Sequence, residues 1–245
     1  MFLTKIELDP GRRLARKYLG SPQVMHAVVM KAAAKSLPDG PPNEQSSNEE
    51  TGRILWRVDE GAFGTTLYLL SSETPDVSQL VLEAAASGTE ARSLDYRPFL
   101  NRLADDQVWA FRLAANPAYA ASRGPGARGK RYGHVTAEQQ REWLLCRSAK
   151  NGFSILDSDG QGEVDRPGKR TDTASVLVVR RERPLFTRSR SDGDGRDRVT
   201  INRTVYEGLL RVTDAPALRR ILTSGLGPSK AYGCGLMTLA RTRRP

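Results

Sequence analysis

The chain has 245 residues, and 38 Lys and Arg against 28 Asp and Glu leave a formal net charge of +10. A hydrophobic share of 38% is enough for a core and excludes a disordered composition. The charge excess favours a polyanionic partner, nucleic acid or an anionic surface. Two cysteines, Cys146 and Cys234, exclude a disulfide framework, and two histidines, His26 and His134, exclude a His-rich metal centre. The opening MFLTKIELD lacks a signal-peptide pattern, and no apolar run reaches the ~18 residues of a membrane span. The expectation is a soluble cytoplasmic protein with no membrane partner.

Phe2 to Leu8 alternates apolar and polar residues, the period of a half-buried strand. A basic connector follows, and Ser21-Pro22 then opens a helix with a hydroxyl cap and a proline at the first helical position. Val24, Met25, Val28, Val29 and Ala32 make its apolar stripe, and Pro38-Asp39-Gly40 ends it. Residues 41–51 are a polar loop. Two strands are expected over Arg53–Val58 and Thr65–Leu70, a weaker helix over Val77–Ala86, and a further strand over Gln107–Leu113. The order β-α-β-β-α-β is that of a ferredoxin-like unit.

The second half repeats the scheme less regularly. Ala115-Asn116-Pro117 breaks the strand, and Ser122–Tyr132 is a Gly/Arg/Lys loop. Ala137–Ser148 reads as a helix, Ser175–Arg181 as a strand, and Val199–Val212 as a long strand or hairpin arm. Asp214–Ser224 is a helix between an Asp cap and the terminating Gly225, and Leu236–Ala240 is the closing strand. Arg183–Arg198 is a hydrophilic insertion carrying both signs of charge. The expected architecture is α+β: two tandem ferredoxin-like domains, residues 1–115 and 116–245.

Between the last helix and last strand lies GLGPSKAYGCGLM, Gly225 to Met237. Gly225, Gly227, Gly233 and Gly235 bracket Ser229 and Lys230. One reading is a tight turn into the final strand. The other is a phosphate cradle, with backbone N–H donors, a hydroxyl and an ammonium on one loop.

With Glu207-Gly208 and Asp214-Ala215-Pro216-Ala217-Leu218 before it, this block resembles the C-terminal signature of the CRISPR repeat endoribonucleases of type I-E systems, the CasE family of RAMP proteins. MFLTKIEL, Met25-His26, Arg112-Leu113, Ala115-Asn116-Pro117, Gly129-Lys130-Arg131 and Thr136–Trp143 extend the likeness in order over essentially the whole chain. The resemblance implies two ferredoxin-like domains. It also implies cleavage of the CRISPR precursor transcript at the 3′ base of each repeat hairpin, leaving a 2′,3′-cyclic phosphate and a 5′-hydroxyl. No metal or other cofactor is implied. The implied partners are the repeat hairpin in precursor and mature crRNA, and the other subunits of the Cascade surveillance complex. A non-cleaving guide-RNA-binding subunit is the alternative.

Such cleavage needs a base for the substrate 2′-hydroxyl, an acid for the leaving 5′-oxygen, and positive charge at the phosphate. His26, early on the first helix, is the candidate proton carrier; by spacing alone it is a rim-of-core histidine, and the resemblance assigns it catalysis. The family pattern carries a tyrosine three residues earlier, where Gln23 stands in this chain. Gln23 can orient a phosphate but not transfer a proton, which leaves Tyr18, just before the helix, as another possibility. Lys31 matches a family lysine, but lies about 140° around the helix from His26 and is otherwise a solvated lysine. For RNA binding the candidates are Lys230, Ser229 and the four loop glycines, then Arg123, Arg128, Lys130 and Arg131 in the basic loop. Arg180 and Arg181 join them, where the resemblance places a basic hairpin against the RNA stem. His134, in the basic loop, reads as a surface or RNA-contacting residue.

Overall fold

The structure, a computed structural model, describes residues 1–34, 53–62, 64–121, 130–157, 176–189 and 196–242, with Lys130 and Arg131 described in backbone only. Arg123 and Arg128 lie outside the described residues.

The first unit begins with β1 (Phe2–Leu8), α1 (Arg13–Leu19) and α2 (Pro22–Ala32). It continues through β2 (Leu55–Gly61), β3 (Gly64–Ser71), α3 (Ser78–Ala84) and β4 (Arg92–Asp95). Its antiparallel sheet runs β2-β3-β1-β4, which is the ferredoxin-like order. α1 occupies the stretch read as a basic connector: Arg13, Arg16 and Lys17 face out, while Ala15 and Tyr18 are buried. The Ser21 hydroxyl accepts from the Val24 N–H, and Pro22 stands in the first turn of α2. Met25, Val29 and Ala32 form the buried face of α2, and Met25 and Val29 pack with Ile6, Trp56, Leu67 and Leu69 in one core.

A short helix, α4 (Arg97–Asn101), leads to β5 (Val108–Ala115). The hairpin β6 (Ala118–Ala121) and β7 (Lys130–Gly133), α5 (Ala137–Ser148), β8 (Phe153–Ile155) and β9 (Leu177–Glu182) follow. The remainder is the hairpin β10 (Leu185–Ser189) and β11 (Arg196–Thr200), then β12 (Arg203–Val212), α6 (Ala215–Ser224) and β13 (Met237–Arg241). The second sheet runs β13-β5-β12-β8, and β9 also pairs with β12. Taken as β5, β8 with β9, β12 and β13, with α5 and α6 as crossovers, this is the ferredoxin-like order again.

One strand changes sheet relative to the sequence reading. The strand over Gln107–Leu113, expected to close the first unit, is β5, paired with β12 on one side and β13 on the other. The open edge of β1 is filled instead by β4, with Phe2 opposite Asp95 and Lys5 opposite Arg92. The stretch Val199–Val212, read as a long strand or hairpin arm, is the end of the hairpin strand β11 followed by β12, with Ile201-Asn202 between them, and most of the β10–β11 hairpin lies in the hydrophilic insertion.

The units are tied by a buried arginine. Arg57 on β2 is 1% exposed. Its Nε and Nη2 donate to the two Asp59 carboxylate oxygens, each at 2.8 Å, and Nη2 also reaches Thr238 Oγ1 at 2.8 Å. Its Nη1 donates to the carbonyls of Arg112 (2.7 Å) and Leu236 (2.9 Å). Every guanidinium N–H therefore has an acceptor, which is what makes so complete a burial tolerable. Asp59 extends the network to Arg112 Nε at 3.2 Å, and Arg112 pairs across β5 and β12 with Glu207. The second core, with Phe111, Leu113, Trp143, Phe153, Tyr206 and Leu218, also takes in Leu55 and Leu70 from the first sheet.

Among the described residues no helix is long and apolar enough to cross a membrane.

Candidate nucleic-acid cleavage site

His26 projects from α2 toward the glycine-rich loop, whose residues Lys230–Tyr232 form a 3-10 turn. The His26 and Tyr232 ring centroids are 6.2 Å apart at an interplanar angle of 63°. Tyr232 also meets Phe186 of β10, at 4.7 Å and 58°. A histidine from the first unit, a loop from the end of the chain and a hairpin from the second unit thus meet at one place.

Burial lowers the His26 pKa from its ordinary 6.5, so the neutral imidazole dominates at neutral pH. Its Nδ1 is buried with no hydrogen-bond partner among the described residues, and so is the Gln23 Oε1. Gln23 lies one helical turn before His26, so the two side chains share a face. A neutral imidazole of lowered pKa is the form that can accept a proton.

The loop is built by internal packing. Trp56 Nε1 donates to the Ala231 carbonyl at 3.2 Å, and a Cβ on Gly233 (φ +78°) would stand 2.7 Å from the Trp56 ring. Gly227 (φ +84°) lies over Trp143, where a Cβ would fall 3.0 Å from the indole. No side chain fits either position, because the backbone lies directly on an indole in a left-handed conformation. The Leu226 N–H bonds to the Gly235 carbonyl (3.0 Å), and the Gly235 N–H to the Ala114 carbonyl (2.6 Å). The Gly225 N–H bonds back to Ile221 at 2.8 Å, terminating α6. The turn into the last strand thus accounts for the conformation of these glycines, and the backbone donors at 225, 226 and 235 are occupied within the protein.

Ser229 adopts a positive φ of 64°, and its Oγ accepts from Asn116 Nδ2 at 2.8 Å. Lys230 folds back so that its ammonium donates to the Ser224 carbonyl at 2.7 Å. Burial, and secondly the charge of Arg53, lower its pKa.

The other sequence candidates fall elsewhere. Lys31 donates to Gln79 Oε1 at 2.8 Å and lines a cleft of about 230 Å³ with Tyr18, Asp76, Gln79 and Glu83; His26 does not line it. The Tyr18 hydroxyl donates to Glu83, and burial, followed by that carboxylate, pushes its pKa up to about 12. Arg180 pairs with Glu60 of β2 at 2.8 Å and with Glu182, joining the two units at a second point. Arg181 is exposed and donates to the Val135 carbonyl. Lys130 and Arg131 are paired backbone residues of β7, opposite Ala121 and Ala120. His134 sits beside Tyr119, ring centroids 5.1 Å apart, in a groove separate from His26.

Sequence reasoning singled out neither Tyr232 nor Phe186, which complete the surroundings of His26. An aromatic residue in mid-loop, Ala231-Tyr232-Gly233, is the available signal: a ring among glycines in a turn needs something to pack against.

Residues 1–241 match the family model described as CRISPR associated protein. The chain is 30% identical over 243 residues to the CRISPR-associated endoribonuclease Cse3 of Thermus thermophilus, covering 98% of this chain and all of that protein. It is 42% identical over 59 residues to the CRISPR system Cascade subunit CasE of Escherichia coli K12, covering 24% of this chain and 27% of that one. Its fold matches the structure of the endoribonuclease Cse3 bound to a 19-nucleotide RNA with a TM-score of 0.70, 26% identity and 98% of both chains covered. Matched along nearly its whole length in sequence and in fold, the chain belongs to the CRISPR associated protein family.

Proposed function

We propose that this protein is a CRISPR repeat endoribonuclease working in the cytoplasm, which cuts the precursor transcript at the 3′ base of each repeat hairpin. It then stays on the mature crRNA as a subunit of Cascade. The observation that supports cutting best is the convergence of His26 with Tyr232 of the glycine-rich loop, a half-buried imidazole of lowered pKa beside a surface contributed by both units. Full-length similarity to a named endoribonuclease, and the net charge of +10, point to the same substrate class.

In this reaction the substrate 2′-oxygen attacks the adjacent phosphorus. A bond forms from O2′ to P, the bond from P to O5′ breaks, and the products are a 2′,3′-cyclic phosphate and a 5′-hydroxyl. Neutral His26 takes the 2′-hydroxyl proton and later releases it to solvent, while the leaving 5′-oxygen takes its proton from solvent water. Gln23 shares the His26 face and orients the phosphate through its amide. The glycine-rich loop places Tyr232 against the imidazole, with Ser229 and Lys230 at the adjoining turn as contacts to the RNA backbone. Lys31, held by Gln79 in the neighbouring cleft, serves binding ahead of proton transfer. The reaction is proposed to run without metal. Arg180 and Arg181, with Arg128, Lys130 and Arg131, are proposed phosphate contacts.

The test is single-turnover cleavage of labelled repeat RNA in EDTA, with His26→Ala and with a 2′-deoxy substitution at the cut site. Cleavage is expected in EDTA, falling roughly 10²- to 10⁴-fold in His26→Ala and vanishing with the 2′-deoxy RNA. Tight hairpin binding without any cutting by the wild type would replace this reading with that of a guide-RNA-binding subunit. That alternative has one observation in its favour, an amide at position 23 where the family pattern has a phenol.

A further inference from the structure

A second set of rings lies away from His26, at the root of the β6–β7 hairpin. Tyr119 and Tyr132 stand opposite each other in the ladder, with ring centroids 5.9 Å apart and planes within 29°. His134 continues the row, 5.1 Å from Tyr119. Tyr119 is 49% exposed and Tyr132 42% exposed, unusual for large rings in a chain with only 7% aromatic residues.

The root from which these rings project is fixed. Trp143 Nε1 donates to the Ala118 carbonyl at 3.2 Å, and the His134 N–H to the Pro117 carbonyl at 2.8 Å. The His134 carbonyl accepts from Gln140 Nε2 (3.0 Å) and Asn202 Nδ2 (3.3 Å). Gly133 lies so close to Asn202 that a Cβ there would stand 2.2 Å from the amide nitrogen. The rings are therefore presented to solvent from a rigid base, a preorganisation that makes stacking on them inexpensive.

Beside them runs a groove of about 340 Å³ lined by His134, Val135, Arg181, Arg183, Asn202 and Arg203. Glu182, also in its wall, is paired with Arg180 and Arg203 and so adds little free negative charge. Arg203 lines in addition the crevice formed with Pro22 and Met25 of α2, the helix that carries His26.

Rings in a row beside a cationic groove suit single-stranded nucleic acid, whose unstacked bases offer π-faces while its phosphates follow the cations. A base-paired stem hides its faces in its own stack and cannot use such a row. We propose that Tyr119, Tyr132 and His134 form a stacking platform for unpaired nucleotides flanking the repeat hairpin, with Arg181 and Arg183 on their phosphates. This proposal rests on the reading of the protein as a repeat-RNA nuclease, and names a part of the substrate outside the stem.

The test uses two 2′-deoxy-blocked RNAs of the repeat from the source genome's own CRISPR array. One is the bare hairpin; the other carries about eight unpaired nucleotides on each side, within the span of a single-strand site. Replacing both tyrosines by serine is expected to weaken the flanked RNA roughly 10-fold more than the bare hairpin, whereas replacing both by phenylalanine restores the difference. Equal losses on the two RNAs, or no loss on either, would overturn the platform while leaving hairpin recognition intact. As a check independent of the variants, 2-aminopurine placed in the flanks should be quenched on binding to the unmodified protein; unchanged fluorescence at saturation overturns the proposal. Failure of the wild type to bind either RNA would bring down the nuclease reading and the platform with it.

Discussion

At the scale of single residues, His26 shows what burial does to an imidazole. Removing the imidazole from water penalises its charged form, and the described residues give its Nδ1 no partner that would offset that cost. A pKa lowered from 6.5 keeps the ring neutral at neutral pH, the form that the proposed transfer of the 2′-hydroxyl proton requires. The cleavage rate at subsaturating protein should therefore fall as pH drops through that lowered value, placing the half-point of the acid limb below 6.5. A half-point above 6.5, in a profile of single-turnover rates, would contradict a buried neutral base. Spacing placed His26 at the rim of the core, and it is half-buried there beside the apolar stripe of α2; its proposed catalytic role came from the resemblance and not from the helical period. The environment of Lys31 was not legible in the same way. Its bond to Gln79 depends on where α3 packs, which the pattern of α2 does not contain. Lys230 shows the same limit, because its ammonium turns back to the carbonyl end of α6.

At the scale of elements, helices with their own end signals were readable and strands without a pattern were not. Ser21-Pro22 and Asp214 with Gly225 mark the ends of α2 and α6 through local hydrogen bonds that need no partner element. β4 is exposed at every position, so no alternation betrays it, and its pairing with β1 is set by the tertiary structure. β5 was visible as a strand, but the sheet it joins depends on β12 and β13, far along the chain. The buried guanidinium of Arg57 is a consequence of that arrangement, for its acceptors include carbonyls of residues 112 and 236. Arg57→Met takes the donor away from these carbonyls and leaves Asp59 with Arg112 as its remaining charge partner among the described residues. The expected loss is about 3–5 kcal/mol of unfolding free energy, and Arg57→Lys should not restore it, because an ammonium cannot reproduce the planar fork. Urea denaturation midpoints for the three proteins check this; a change of less than about 1 kcal/mol would mean that the network does not hold the units together.

At the scale of the whole molecule, the two ferredoxin-like units form one working surface because their cores and charges interlock. Leu55 and Leu70 of the first sheet enter the second core, while Arg57 and Arg180 bridge the units at separate points. This joint construction brings residue 26 against residue 232, a proximity that neither half of the chain predicts by itself. The overall charge favours a polyanionic partner, and the ring pair with its groove is the proposed path of the unpaired portions. The most direct test of the account is photo-crosslinking of 2′-deoxy-blocked repeat RNA carrying a 4-thio base at the cut site, followed by peptide mapping. The expected crosslinks fall on the peptide of α2 containing His26 and on the turn at 230–232. Crosslinks confined to the Lys31 cleft or to the far face of either sheet would contradict it.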